Sequence, residues 1–344
     1  MADTAAIERI VPFTADDGLK LNFINVCGSG DRGPVLVAHG AGVRANLFRP
    51  PVETTFVDAL VAEGYDVWLE NWRASGDVEQ TDWNFDQAAL YDHPAAVRKI
   101  VEETGCTTLK AVVHCQGSST FSMSAAAGLV PEVDTIVASA ISLHPVVPWW
   151  SAIKLRYAMP LSDRFADSID PSQGDRPKGW FNKLLTTGVK CVHQECDVTS
   201  CRMVSFTFGA GKPALWRHEN INDATHHPWI QQEFTRVPLT FFKQMNKSVQ
   251  AGQLVTESGF AELPERLCDQ APKTDARFAF FTGELNRCFL PESQRRSHAW
   301  FEQWQPGRNS LHVLPGYSHL DLFMGKNAAT DVFPLILAEL EGES

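Results

Sequence analysis

The sequence Leu109-Lys-Ala-Val-Val-His-Cys-Gln-Gly-Ser-Ser-Thr120 joins an apolar run of strand length to small residues that suit the start of a helix. A nucleophile elbow has the pattern G-x-Ser-x-G, and here Cys115 stands at the serine position and Gly117 at the second glycine. Val113 occupies the first glycine position, so the match is incomplete. The segment predicts a cysteine nucleophile, and a cysteine that only packs at a strand end is the alternative.

A second segment, Gly33-Pro-Val-Leu-Val-Ala-His-Gly-Ala-Gly42, is another apolar run, and it leads into His39 and Gly40. A loop after such a strand can present a backbone N–H to a developing oxyanion. We therefore assign the oxyanion hole to the amides of Gln116 and Ala41. His39 and Gly40 are predicted to contact the substrate.

A third segment, Asn309-Ser-Leu-His-Val-Leu-Pro-Gly-Tyr-Ser-His-Leu-Asp321, places a histidine on a loop after a short strand. A thiol or hydroxyl nucleophile needs a neighbouring base, and histidine is the residue most often used. His319 also follows the nucleophile in chain order. It is therefore the predicted catalytic base.

The third member of the triad is predicted after the strand at 277–281, where Asn286 and Glu284 are the candidates. An asparagine can orient an imidazole through its amide oxygen, but it cannot stabilise an imidazolium by charge. Glu284 would supply that charge if it turned inward, and Asp321 is a weaker candidate. A thiol tolerates the loss of a carboxylate because it is acidic enough to ionise beside a histidine.

Seven segments carry a family resemblance, and they span nearly the whole chain. They resemble α/β hydrolases of the lipase-like branch, and they are more closely similar to the hydrolase domains that accompany cholesterol-oxidase-like flavin oxidoreductases of the glucose-methanol-choline class. The resemblance implies an α/β-hydrolase fold with a mostly parallel, doubly wound sheet. The segments are Phe13-Thr-Ala-Asp-Asp-Gly-Leu19, His39-Gly-Ala-Gly42, Gly64-Tyr-Asp-Val-Trp-Leu-Glu-Asn-Trp-Arg-Ala-Ser75, Tyr91-Asp-His-Pro-Ala-Ala-Val97, His114-Cys-Gln-Gly117, Gly283-Glu-Leu-Asn-Arg-Cys-Phe-Leu-Pro291 and Tyr317-Ser-His-Leu-Asp-Leu-Phe-Met-Gly325.

The chain divides into three parts by its pattern of strands and helices. Strands and helices alternate over 1–145 and again over 270–344, which is typical of a doubly wound core. The aromatic-rich part at 146–269 is predicted to be a lid inserted into that core. Trp149 and Trp150, which open the lid, are predicted to contact an apolar substrate.

The eight cysteines are predicted to be reduced, because no export signal is visible. Cys191, Cys196 and Cys201 are spaced five residues apart, with no C-x-x-C pair. The sequence favours thiols that stabilise the lid over a zinc site. The pair His226 and His227 is likewise interpreted as a loop contact. The cysteine spacing therefore predicts no metal. No flavin or nicotinamide cofactor is expected either, because no G-x-G-x-x-G follows the first strand.

A formal net charge of -11 argues against nucleic acid as a partner. No run of eighteen apolar residues occurs, and the first residues lack the pattern of a signal peptide, so the expected location is cytoplasmic, with no membrane span. The expected partner is a small apolar ester or thioester. The sequence leaves open whether the chain forms a homodimer.

Together these features predict a hydrolase of a carboxylic ester, lactone or thioester with an apolar acyl or alicyclic group. The reaction would pass through an acyl-thioester on Cys115. One alternative is an acyltransferase, because Cys115-Gln-Gly117 also resembles the site of polyhydroxyalkanoate synthases. The other alternative is a ligand binder that has kept the fold without catalysis.

Overall fold

The computed structural model describes residues 6–174, 176–257 and 259–342. Ten strands are assigned in chain order, and eight of them form one sheet in the order β1-β2-β4-β3-β5-β6-β9-β10. The strands are β1 Ile7–Thr14, β2 Lys20–Cys27, β3 Pro34–Ala38, β4 Asp66–Asn71, β5 Leu109–His114, β6 Val133–Ser139, β7 Ser168–Ile169, β8 Val237–Pro238, β9 Arg277–Gly283 and β10 Ser310–Leu314.

The sheet is parallel from β4 to β10, and β1 and β2 extend it as an antiparallel hairpin. Strand β3 is buried along its whole length, as a strand covered by helices on both faces should be. The predicted doubly wound sheet is confirmed, and so is the antiparallel edge hairpin that the sequence predicts from strands at 7–13 and 21–26. The sequence predicts a later strand at 135–143, but β6 ends at Ser139 because Ala140 turns the backbone to a φ of 51°.

Fourteen α-helices accompany the strands in the described part of the chain. They are α1 Phe56–Ala62, α2 Phe85–Gln87, α3 His93–Thr104, α4 Cys115–Ala126, α5 Trp149–Ile153, α6 Met159–Ser162, α7 Gly179–Val192, α8 Thr199–Phe208, α9 Ile230–Glu233, α10 Leu239–Ala251, α11 Pro291–Trp304, α12 Asp321–Met324, α13 Ala328–Asp331 and α14 Phe333–Glu341. Short 3₁₀ turns lie at Ala45–Phe48, Pro171–Gly174, His218–Asn220 and Leu267–Asp269, and π turns at Ala88–Asp92, Lys154–Ala158 and Thr225–Trp229.

Two hydrophobic layers cover the sheet. Successive strand residues point to opposite faces, so Leu36 packs with α3 and α4 while Val35 and Val37 pack with α1 and α14. The sequence predicts the first helix from about Val52, but α1 begins at Phe56, after a capping box formed by Thr55 and Asp58. The sequence predicts another helix from about Ser118, but α4 begins earlier, at the candidate nucleophile Cys115.

The part of the chain between β6 and β9 lies outside the eight-stranded sheet and is called the cap below. It contains α5 to α10 and a small antiparallel pair formed by β7 and β8. Its inner side forms a separate hydrophobic cluster that includes Cys201, Trp216 and Leu320, so the cap packs on the loop that carries His319. Among the helices described here, none has the length and apolar character needed to cross a bilayer.

Candidate active site

Cys115 is the first residue of α4, directly after β5, and it has a φ of 56°. A positive φ is strained for a residue with a Cβ, so the packing around the turn must hold it. A Cβ at Gly117 would lie 2.2 Å from the carbonyl oxygen of His39, and one at Gly40 would lie 2.9 Å from Cβ of Cys115. The loop after β3 therefore packs closely on the turn, which has the geometry of a nucleophile elbow.

The Cys115 sulfur lies among hydrogen-bond donors. The Sγ atoms of Cys115 and Cys288 and one ring nitrogen of His319 all lie within 4.8 Å of one another. Hydrogen bonds from Cys288, from His319 and from the amide of Gln116 hold the pKa of the Cys115 thiol well below its usual range, although burial opposes them. The pKa of Cys288 is raised, because its hydrogen bond to Cys115 and its burial both favour the neutral thiol. The hydrogen bond between the two thiols therefore favours ionisation of Cys115 over ionisation of Cys288.

The imidazole of His319 is oriented by Asn286, whose amide nitrogen lies 3.1 Å from Nδ1 of the ring. The amide oxygen of Asn286 points away and accepts hydrogen bonds from the backbone N–H groups of Cys288, at 3.0 Å, and Phe289, at 3.2 Å. The sequence predicts that the amide oxygen of Asn286 faces the ring, but in the structure the amide nitrogen does. Turning the amide over would set its NH₂ group against two backbone donors.

This contact decides which ring nitrogen of His319 carries the proton. An amide nitrogen only donates, so Nδ1 must accept and the ring proton lies on Nε2. Nε2 is the nitrogen left to bond the Cys115 sulfur, to which His319 makes a hydrogen bond. The Cys115 sulfur thus accepts a hydrogen bond from Nε2 of His319, and Nδ1 of the same ring faces the amide nitrogen of Asn286.

The two carboxylates considered from the sequence do not orient His319. Glu284 has an exposed side chain, because its backbone N–H is tied to the carbonyl of Leu314 at the end of β10 and the side chain turns to solvent. Asp321 is buried, but it accepts hydrogen bonds from the amides of Ser318 and Arg217 and from the side chain of Asn220. Burial raises the pKa of Asp321 to about 6.

The loop after β3 and the start of α4 border the cavity beside Cys115. Ala41 and Gln116 both line it, and Gly40 lines a smaller neighbouring pocket with His319. His39 is fully buried with Nδ1 against the carbonyl of Gly40, and burial lowers its pKa to about 4. His39 lies outside both sets of lining residues, so its contribution to this loop is packing.

The cavity is mostly apolar, and its empty space of about 570 Å³ includes the part that is open to solvent. It lies between the core and the cap. Trp149 and Trp150 do not line it, because they are 73% and 42% exposed and pack against each other on the outside of the cap. The lining residues are Ala41, Cys115, Gln116, Val147, Ser151, Lys154, Leu155, Met159, Thr207, Phe208, Phe241, Phe242, Met245, Cys288 and Phe289.

Sequence reasoning missed three polar groups at this cavity. Cys288 follows Asn286 by two residues, a proximity that could have suggested its role. Lys154 donates to the carbonyls of Phe206 and Gly209, and burial lowers its pKa to about 8. The hydroxyl of Ser151 is buried without a hydrogen-bond partner among the described residues. No sequence pattern marks the last two residues as part of a site.

The eight-stranded, mostly parallel sheet with its elbow cysteine is an α/β-hydrolase fold, which confirms the predicted fold class. Among solved structures, a soluble variant of monoglyceride lipase from Saccharomyces cerevisiae in complex with a substrate analog is similar over 97% of this chain and 96% of that one. The TM-score is 0.58 at 15% sequence identity. That likeness concerns the fold.

No known protein-family profile matches the chain. The chain is similar to sterol esterase 2 of Saccharomyces cerevisiae, with 26% identity over an alignment of 135 residues that covers 33% of this chain and 25% of that protein. It is also similar to human lipase member K, with 21% identity over 306 residues that cover 82% of this chain and 72% of that protein. The chain thus spans about a quarter of sterol esterase 2. These relatives support the lipase-like resemblance, and the association with oxidoreductases stays a prediction.

We expect Cys115 to react with iodoacetamide at close to its maximal rate already at neutral pH. The reason is its lowered pKa, which keeps the thiolate populated there. Cys268 is the internal control, because burial raises its pKa to about 12. Peptide mass spectrometry of samples alkylated at several pH values gives both rates. A Cys115 rate that keeps rising with hydroxide into the alkaline range would contradict the thiolate.

Proposed function

We propose that the protein hydrolyses carboxylic esters, lactones or thioesters that carry an apolar acyl or alicyclic group, with Cys115 as the nucleophile. The observation that carries the proposal is the Cys115 sulfur, which faces an apolar cavity while three donors lower its pKa. The thiolate attacks the substrate carbonyl, and the amides of Gln116 and Ala41 bind the oxyanion. The sulfur–carbon bond forms, the bond to the leaving group breaks, and water later releases the acid.

The position of the ring proton favours one kind of leaving group. A thiolate or a phenolate departs without needing a proton, so it can be displaced by Cys115 directly. An alkoxide would have to take the Nε2 proton of His319, and because Nδ1 of that ring faces the donor amide of Asn286, this would leave an unfavourable imidazolate. We therefore expect thioesters and activated esters to acylate Cys115 faster than simple alkyl esters do.

The proton on Nε2 of His319 is also expected to slow deacylation, the step in which water releases the acid from Cys115. To activate water, His319 must accept a proton on Nε2, which requires the ring proton to move to Nδ1. There it would meet the amide nitrogen of Asn286, which is a donor. The acyl-thioester is therefore expected to accumulate, so the first turnover should be faster than the following ones.

The cavity supports an apolar acyl group. Phe241, Phe242 and Met245 on α10 supply one wall. Both amide atoms of the Gln116 side chain are buried without partners in the described part of the chain. Together with the hydroxyl of Ser151, this side chain would bind a polar group that the substrate carries into the cavity.

The proposal predicts a burst of p-nitrophenol, close to one per chain, when p-nitrophenyl esters of increasing acyl length are mixed with the enzyme. Intact-mass spectra taken during the burst should show one acyl group, located on the peptide that contains Cys115. Enzyme alkylated beforehand with iodoacetamide is the control and should show neither. Turnover with the acyl group on another residue would refute Cys115 as the nucleophile, and an inert protein would favour a non-catalytic binder.

Hydrolysis is preferred here over acyl transfer because the relatives named above are an esterase and lipases. An added alcohol or hydroxyacyl thioester separates the two reactions. If it diverts most of the acyl group from the free acid, transfer is the reaction.

A further inference from the structure

The cap brings together two cysteines and two histidines that the proposed reaction does not use. One ligand atom from each of Cys196, Cys201, His218 and His226 lies within 4.8 Å of the other three. Cys196 Sγ is 3.4 Å from Nε2 of His226, and Cys201 Sγ is 3.5 Å from Nε2 of His218. The cysteine spacing in the sequence favours lid-stabilising thiols over zinc, and the pair His226 and His227 indicates a loop contact. The structure instead places all four donor groups at one point.

We propose that Cys196, Cys201, His218 and His226 bind one structural zinc ion in the cap. Zinc is held tetrahedrally at about 2.3 Å from sulfur and about 2.0 Å from nitrogen, so ligand atoms around it are separated by roughly 3.3 to 3.8 Å. The two sulfur–nitrogen distances, 3.4 and 3.5 Å, lie in that interval. Two thiolates and two imidazoles favour zinc over calcium or magnesium, which prefer oxygen ligands.

The surroundings of the four groups suit a closed, structural site. Cys201 is fully buried, and the other three ligands are partly buried. The indole N–H of Trp216 faces the Cys201 sulfur and has no other hydrogen-bond partner among the described residues. Such a donor is the usual outer partner of a metal-bound thiolate. Four protein ligands leave no position for water, so the ion would stabilise the cap and take no part in catalysis.

The ligands come from separate parts of the cap. Cys201 is on α8, His218 opens the 3₁₀ turn His218–Asn220, and His226 lies in the π turn Thr225–Trp229. The segment around His218 is also tied to the catalytic loop. The carbonyl of Leu215 accepts hydrogen bonds from the amides of both His319 and Leu320. Zinc bound here would therefore hold the cap against the loop that carries His319.

The spacing of the two cysteines in the sequence is one indication of the zinc site. Cys196 and Cys201 are separated by four residues, which lies within the C-x₂₋₄-C spacing of structural zinc sites. The two histidines are separated by seven residues, which is longer than the common histidine spacing, and His227 beside His226 obscured the choice. Only the folded cap shows that His226 faces Cys196 while His227 is exposed.

Metal analysis of the full chain, purified under reducing conditions without chelator, tests the proposal. Wild type is expected to contain close to one zinc per chain. The His226→Gln and Cys201→Ser variants should lose most of it, whereas the matched neighbours His227→Gln and Cys191→Ser, both exposed in wild type, should keep it. Chelation should lower the melting temperature of wild type by several degrees and leave that of His226→Gln nearly unchanged.

Substitution of the metal gives a second readout that does not depend on folding of the variants. Wild type stripped of metal and titrated with Co²⁺ alone should develop the strong visible bands of tetrahedral cobalt with thiolate charge transfer, at one equivalent per chain. The proposal is wrong if stripped wild type gives only the weak spectrum of octahedral cobalt. It is also wrong if His226→Gln binds as much zinc as His227→Gln, or if Cys196 and Cys201 prove to be joined in a disulfide. None of these three results depends on ester hydrolysis, so they test the zinc site separately from the proposed function.

Discussion

Cys115→Ala lowers kcat/KM for p-nitrophenyl esters by at least about 10⁴-fold, because removing a nucleophile removes the covalent route entirely. Alanine keeps a Cβ at the strained φ of 56° and loses only the sulfur, so the fold should persist. Steady-state kinetics over a series from two-carbon to long acyl chains, with the melting temperature measured in parallel, gives the result. In the wild type, the chain-length optimum reports the size of the cavity beneath the cap.

The matched control for this prediction is Cys106→Ala. Cys106 is partly buried and lies just before β5, at the opposite end of that strand from the elbow. Its replacement should therefore change kcat/KM little. Asn286→Ala should cost much less than Cys115→Ala, because Asn286 acts through the ring of His319. If Cys115→Ala and wild type hydrolyse the series equally well, Cys115 does not do acyl chemistry on these esters.

Asn286→Asp raises the steady-state rate by about 10- to 100-fold, which is the second large effect we expect. A carboxylate at this position can accept from the backbone N–H groups of Cys288 and Phe289 with one oxygen. Its second oxygen can accept a hydrogen bond from the Nδ1–H group of His319. The ring then exposes a free Nε2 that accepts a proton from water, so deacylation is faster.

The burst experiment separates this explanation from a general change in the site. Asn286→Asp should release the same amount of p-nitrophenol in the burst as the wild type does. Its steady-state rate after the burst should be higher than that of the wild type. Glu284→Gln, at the exposed neighbouring carboxylate, should change neither. A drop in the steady-state rate of Asn286→Asp would show that the ring proton is not held on Nε2 as the hydrogen bonds indicate.

The double variant Cys115→Ser/Asn286→Asp extends the same argument. A serine hydroxyl does not ionise near neutral pH and must lose its proton to the histidine as it attacks. Cys115→Ser alone should therefore be nearly inactive, since Nε2 of His319 already carries a proton. The added aspartate should recover activity by more than the sum of the two single effects, which a double-mutant cycle measures.

Much of the fold was predictable from the chain because its signals are local. The apolar runs around Val35 and Val112 are buried on both faces, and such runs predict central parallel strands. The elbow at Cys115 was predictable for the same reason, since a strand, a nucleophile, Gly117 and a run of small residues are adjacent in sequence. Helix boundaries were less accurate, as at α1, because a capping contact between Thr55 and Asp58 decides where that helix begins.

The sequence by itself determined the class of fold, the position of Cys115 at the elbow, and His319 and Asn286 as its neighbours. Only the tertiary structure decided how these groups work. The backbone N–H groups of Cys288 and Phe289 bind the oxygen of Asn286 and so select the ring proton of His319. The cap also joins Cys196 to His226 across 30 residues. Hydrogen bonds and ligand sets of this kind depend on distance and direction between groups far apart in the chain, and no local pattern encodes them.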